Sequence, residues 1–313
     1  MVILNLVKDL LMNKKVQIEC WWTSSKDITQ RTLDQFSFNN NTSDIDFVTD
    51  NNYDWLVVCG KLPQNFNSTN INKSRTIFFV MEPSWSPNTD KDAANYSKYI
   101  CTHNKNIFND KSAIFFEEPN YMFYGGRGDS GWNIDTITKS IFNKTKNISC
   151  IVTKRGNSWG TKNIYDERVA LADLLSIDDH IDIYGTFWPN NGKNIHGEIW
   201  NKFVALNDYM FSIGIENTSE NNYITEKFYD CILTDTIPIY FGAPNISDYF
   251  DMNGMVYLDN IFDTNRCATK INNIYENIYN EYNSKIESCK KNKLTFLTNH
   301  NIINKIKEII YNE

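Results

Sequence analysis

A chain of 313 residues with 38 acidic against 31 basic side chains carries a formal charge of −7 and a pI near 5.2, which excludes a general nucleic-acid binder and leaves room only for a local basic pocket. The length suits two domains of about 150 residues, each able to bury a core without metal or disulfide staples. Seven scattered cysteines (Cys20, Cys59, Cys101, Cys150, Cys231, Cys267 and Cys289) form no Cys-x-x-Cys pair, so neither a zinc site nor a disulfide frame is expected.

In chain order, the first half reads as strands alternating with helices. Val16 to Trp22, Trp55 to Cys59 and Thr76 to Met81 are short apolar runs of the kind that fill buried strands, with Tyr99 to Thr102 and Ser112 to Phe116 as a weaker pair. Polar stretches such as Asn39 to Asp44 read as loops. A glycine-rich stretch from Tyr124 to Trp132 breaks the pattern, and the boundary is placed near Ile141 to Asn147, giving domains 1–145 and 146–313. The second half restarts with a strand at Ser149 to Thr153. A helix follows over Tyr165 to Leu175, then strands at His180 to Tyr184 and Tyr209 to Ile215. Next come a helix over Thr225 to Leu233 and a strand at Thr236 to Phe241. The tail from Ala268 is helical, with isoleucines at helical spacing, and is assigned to the second domain. The fold class is α/β, with two doubly wound domains facing a cleft and C-terminal helices. Ligands are expected at the carboxyl ends of the strands.

The chemistry concentrates in Phe211 to Phe250. A strand ends on Glu216 and Asn217, a polar loop follows, and Thr225 caps a helix that opens with Glu226 and Lys227. A helix start after a strand is a ready anion site, and Lys227 adds a full positive charge. Asn217, Tyr223 and Glu226 supply an amide, a ring and a carboxylate, a set suited to a sugar nucleotide. The plainer alternative is a capped, solvated helix start. Arg168 and, just after the strand at 149–153, Lys154 and Arg155 are further candidates for phosphate, because a guanidinium fork donates two charge-assisted bonds; alone, Arg168 also reads as a surface helix residue.

Glu216-Asn217-Thr218, Tyr223-Ile224-Thr225-Glu226-Lys227, Ile237-Pro238-Ile239-Tyr240-Phe241-Gly242 and Ala243-Pro244-Asn245 together resemble the signature of glycosyltransferase family 10, the α1,3/4-fucosyltransferases. Arg168 and the stretch His180 to Gly185 are similar to the family's donor-domain arginine and strand. Phe78 to Pro87 resembles the family strand that ends in a glutamate, here Glu82. The resemblance implies a GT-B fold, GDP-fucose as donor, a glycan acceptor and inversion at the anomeric carbon. It makes Glu82 the general base, with Glu117 and Glu118 as rivals by residue type. Arg168 and Lys227 then stabilise phosphate, Glu226 contacts donor hydroxyls, and Asn217, Tyr223, Thr225, Glu216 and Arg155 complete the donor site.

No tightly bound cofactor and no metal site are expected, with Mn²⁺ or Mg²⁺ as a mild activator; Asp44-Ile45-Asp46 has a metal-like spacing but lies beside a polar loop, away from the donor motif. Trp21, Trp22, Trp85 and Tyr124 are either a sugar-stacking platform or core. No apolar run approaches the roughly 20 residues of a membrane span, and Met1 to Leu11 carries Lys8 and Asp9, unlike a signal peptide or anchor. Sequons at Asn217 and Asn245 fall inside the catalytic segment, where a glycan would obstruct it. A cytoplasmic location follows, in a microbial or virus-infected cell given the Asn/Ile/Lys-heavy composition. The rival readings are a GT-B transferase for another nucleotide sugar and a glycan-binding relative without catalysis.

Overall fold

The computed structural model describes residues 13–121, 133–154, 164–177, 179–189 and 193–312. The chain divides into two compact units, one running to Asn120 and including the segment from His300, the other Tyr121–Asn299. The expected two-domain, doubly wound α/β class is therefore found. The division differs from the sequence boundaries in two respects: it falls after Asn120 rather than near residue 145, and the final helix belongs to the first unit.

The first unit holds six parallel strands in the order β2-β1-β3-β4-β5-β6. They are β1 (Lys14–Cys20), β2 (Ile45–Val48), β3 (Trp55–Cys59), β4 (Thr76–Phe79), β5 (Tyr99–Thr102) and β6 (Ile114–Glu117). Leu56, Val58, Phe78 and Ile100 are buried in its core. Two elements lack a clear apolar period and were not expected. β2 is a short edge strand that takes in Asp46 from the Asp44-Ile45-Asp46 stretch, and α1 (Ser25–Phe36) is capped by Ser24. The last helix of the chain (Ile302–Tyr311) buries Ile302, Ile303, Ile306, Ile309 and Ile310 and packs against α1. Amides specify that docking: Asn301 Nδ2 donates to the Phe36 carbonyl at 2.8 Å, and Asn41 Nδ2 to Asn304 Oδ1 at 2.9 Å. An isoleucine period announces an amphipathic helix but not the surface it covers, so its destination was not readable.

The second unit repeats the theme with β7 (Lys146–Ile151), β8 (Ile181–Tyr184), β9 (Ile195–Gly197), β10 (Tyr209–Ile215), β11 (Ile237–Phe241) and β12 (Val256–Tyr257). The order is β12-β11-β10-β7-β8-β9. The chain winds outward from β7 through β8 to β9, returns to β10, and winds the other way, so the connections diverge between β7 and β10. Crevices outside the carboxyl ends of strands at such a switch point are where open α/β sheets bind ligands. β10 and β11 are buried along their whole length, as strands covered on both faces must be. In chain order the helices after α1 are α2 (Ile134–Lys139), α3 (Tyr165–Leu175), α4 (Phe203–Leu206), α5 (Glu226–Leu233), α6 (Thr264–Glu276), α7 (Ile278–Asn299) and α8 (Ile302–Tyr311). Among the described residues no helix is long and apolar enough to cross a membrane.

His300, at the entry to α8, is buried. Burial first, and the Lys305 charge second, push its pKa from 6.5 down to about 4. The unfolded chain therefore binds the proton before the folded one does, and stability falls as pH is lowered from about 6.5 to about 4. His300→Leu is expected to flatten that part of a plot of thermal midpoint against pH. An unchanged slope in the variant would contradict the assignment.

Candidate functional site

The site begins with a buried carboxylate. β10 delivers Glu216 to a position with no solvent exposure, where Oε1 accepts the backbone N–H of Thr225 at 2.7 Å and Oε2 accepts the Thr225 hydroxyl at 2.6 Å. Thr225 in turn caps α5 by accepting the Lys227 N–H at 3.4 Å. The strand end and the helix start are thus locked together. Gly214 permits the contact: a Cβ there would lie 2.5 Å from the Lys227 carbonyl oxygen, so only glycine lets α5 approach β10 this closely.

Lys227 then lies among acceptors. Its Nζ stands 2.9 Å from Glu226 Oε1, 3.2 Å from Thr225 Oγ1 and 3.5 Å from Glu216 Oε2. Burial works against the Lys227 charge, but Glu226 and Glu216 outweigh it and hold the pKa above the usual lysine value. For Glu226, burial works to raise the pKa, and the Lys227 and Lys202 charges overcome it and keep the carboxyl well below its ordinary range. Glu216 is raised, by burial first, with Lys227 opposing. The outcome at neutral pH is a protonated Lys227 beside an ionised Glu226.

Arg168, on α3, donates from Nη1 to Asn217 Oδ1 at 2.6 Å and lies over the Tyr165 ring at 5.3 Å. The Asn217 carbonyl also accepts the Ile164 N–H at 3.3 Å, which ties the end of β10 to the start of α3. Lys202 pairs with Asp230 at 2.6 Å. These groups surround a cavity of about 340 Å³ lined by Thr153, Arg168, Lys202, Asn217, Glu226 and Lys227 among others, with Ile151 of β7 and Ser212 to Ile215 of β10 as its floor. It lies at the β7/β10 switch point and is within the size range of small-ligand sites. Three cations, a helix N-terminus and two carboxylates around one cavity can hold a polyphosphate at one end and hydroxyl groups at the other.

The structure brings Arg168, Asn217, Glu226 and Lys227 together as expected. It assigns different places to three other residues. Glu216 and Thr225 are not among the lining residues: both are buried and hydrogen-bonded to each other, and they hold the helix start that carries Lys227. Tyr223 is 3% exposed and is not among the lining residues. An aromatic ring just before a helix cap gains more from burial than from facing water. Arg155, like Tyr124, lies outside the described residues. Lys154 points elsewhere, pairing with Asp173. Lys202 and Asp230 were missed. Asp230 is one helical turn beyond Glu226 and was findable on that spacing; Lys202 has no local signal.

Glu82 lies in the first unit, just past the end of β4. Of the other two candidates, Glu117 accepts the Lys105 N–H at 3.1 Å and pairs with Lys105 Nζ at 2.8 Å, and Glu118 pairs with Lys305 of α8 at 2.9 Å. No group of three or more His, Cys, Asp or Glu side chains placed to hold a metal occurs among the described residues.

Two parallel doubly wound sheets, the second with a cation-rich cavity at its switch point, define the GT-B class of glycosyltransferase fold. Solved structures agree. A crystal structure of an α1,3-fucosyltransferase with GDP superposes with a TM-score of 0.56 at 18% identity, covering 96% of this chain and 89% of that one. A DNA-modifying β-glucosyltransferase superposes at 0.53 and 12% identity, covering 95% and 99%. The sequence model described as "Glycosyltransferase family 10 (fucosyltransferase) C-term" matches residues 141–308, more than half of the chain. The chain belongs to glycosyltransferase family 10. Among relatives, α-(1,3)-fucosyltransferase B of Drosophila melanogaster is 32% identical over 113 residues, covering 33% of this chain and 26% of the relative. The α-(1,3)-fucosyltransferase FucT of Helicobacter pylori is 33% identical over 89 residues, covering 28% and 18%. The matched segments are thus about a quarter of those relatives' length or less.

Glu216→Ala would leave the Thr225 N–H and hydroxyl buried without their acceptor, a loss of about 1–3 kcal/mol for each group. A thermal midpoint several degrees below wild type by circular dichroism is expected. A midpoint equal to wild type would show that the carboxylate does not anchor α5.

Proposed function

We propose that the chain transfers L-fucose from GDP-fucose to a hydroxyl group of a glycan, with inversion at the anomeric carbon. The observation that carries this reading is the pairing of Lys227 and Arg168 around one cavity in a family 10 chain, with Glu226 kept ionised between the cations. In this reading the pyrophosphate of GDP lies against Lys227, Arg168 and Lys202. These cations match the charge that gathers on the leaving group as the bond from C1 to phosphate oxygen breaks, so their stabilisation grows toward the transition state. Glu226, unable to donate a proton at neutral pH, accepts hydrogen bonds from donor hydroxyls and faces the positive charge that develops on the sugar ring. Asn217 buttresses the Arg168 guanidinium and fixes its fork.

The acceptor oxygen attacks C1 from the face opposite the phosphate, its proton passes to Glu82, and GDP departs with the bonding pair. A carboxylate suffices as the base because the hydroxyl loses its proton only as the new bond forms. An acceptor such as O3 of N-acetylglucosamine fits this chemistry. Side chains carry the phosphate charge, with Mn²⁺ or Mg²⁺ as a mild activator.

Calorimetric titration with GDP, GDP-mannose and UDP tests the donor half. Wild type is expected to select guanine diphosphates, and Lys227→Ala to bind GDP about 10- to 100-fold more weakly, the worth of a charge-assisted bond. Glu82→Gln is expected to bind GDP like wild type while transfer to acceptor falls at least about 100-fold, within the range of general-base losses. A preference for UDP would contradict the donor assignment, and a Glu82→Gln enzyme with wild-type turnover would contradict the base.

A further inference from the structure

The first sheet has a switch point of its own, between β1 and β3, and its carboxyl edge carries a feature that the donor reading does not use. β1 runs directly into Trp21 and Trp22. Their rings stand nearly perpendicular, at 89°, with centroids 6.0 Å apart, and they are 45% and 39% exposed. Of the described residues up to Asn120, only these two and Ile114 are large apolar side chains left this open. Tryptophan loses most by standing in water, so two adjacent exposed indoles at a ligand-binding edge mark a surface made for contact.

Neighbouring residues build the platform. Gly60 follows β3 with φ +78, a backbone that favours glycine. A Cβ at Gly60 would lie 3.2 Å from the Trp22 ring, 3.3 Å from Trp21 Nε1 and 3.4 Å from Met81 Cγ. Both indoles therefore rest on the Gly60 backbone, beside Met81, whose next residue is Glu82.

Charge identifies the occupant. In a doubly wound sheet the turn after the first strand commonly holds phosphate at a helix N-terminus. Here that position at the start of α1 is filled from within: Asp27 accepts the Ser24 hydroxyl at 2.7 Å and the Thr23 hydroxyl at 3.2 Å, and these bonds lower its pKa. Glu82 adds a carboxyl group just past the end of β4, Glu19 is buried within β1 and accepts from Gln17 Nε2 at 2.6 Å, and the ammonium of Lys61 donates to the Pro87 carbonyl at 3.0 Å. An anion is disfavoured at this edge. A neutral ring with one apolar C–H face and hydroxyls on its rim is favoured. We infer that Trp21 and Trp22 form the stacking platform for a pyranose of the acceptor glycan, holding the attacked sugar against Glu82; the inference rests on the fucosyl-transfer reading above.

The test uses p-nitrophenyl β-glycosides of N-acetylglucosamine, galactose, glucose and xylose, with GDP release and glycoside consumption measured separately. For the glycoside that wild type fucosylates fastest, Trp21→Ala and Trp22→Ala are expected to raise the acceptor KM at least tenfold, while the KM for GDP-fucose does not follow. Trp→Phe at the same positions keeps a flat ring and is expected to recover most of the loss. Acceptor KM values within twofold of wild type in both alanine variants would overturn the platform. So would wild type that hydrolyses GDP-fucose yet fucosylates none of the four glycosides. Absence of any GDP release from GDP-fucose would instead sink the fucosyl-transfer reading, and this inference with it.

Discussion

A carboxylate sealed from water must be satisfied by protein atoms, and the donor-side architecture follows from how Glu216 meets that demand. Its oxygens take the N–H and hydroxyl of Thr225, which fixes the N-terminus of α5. The fixed helix start sets Lys227 within reach of Glu216 and Glu226 together. Beneath lies the Ile237-to-Gly242 stretch. The Tyr240 hydroxyl lies 3.5 Å from Glu216 Oε1, and a Cβ at Gly242 would fall 2.4 Å from Glu216 Cγ. Three sequence motifs that look separate are therefore one packing unit, built to aim a lysine that itself stays charged.

The two switch points use the same geometry for opposite ends. In the second unit the capped helix start borders the cavity with three cations, Arg168, Lys202 and Lys227, around it, an arrangement suited to a diphosphate. In the first, Asp27 already occupies the helix start and two exposed indoles stand at the end of β1, an arrangement suited to an uncharged ring. One topology thus yields two chemically distinct edges, and the difference rests on a few side chains at strand ends rather than on the strands.

Legibility followed the range of the interactions. β10, β3 and α3 were readable to the residue because apolar runs and helical spacing are local signals. The cluster from Glu216 to Lys227 was legible because the capped helix and the family motif fall in one continuous segment. What escaped was non-local. The return of α8 to the first unit is specified by Asn41 and Asn301, some 260 residues apart. The burial of Tyr223 depends on what surrounds it, and Lys202 enters the cavity from the turn before α4, where no pattern marks it. Roles were also harder to read than places: Glu216 and Thr225 stand out in the sequence at a strand end and a helix start, but only their hydrogen bonds reveal that they hold Lys227 in position.

The central claim is that fucose passes from a β-linked guanine nucleotide to a sugar hydroxyl with inversion. Proton NMR of the reaction mixture, followed from GDP-fucose and a glycoside acceptor to product, tests donor, transfer and stereochemistry in one record. The account predicts an α-linked fucoside accumulating in step with GDP. A β-linked fucoside, or turnover of UDP-sugars while GDP-fucose stays intact, would contradict it.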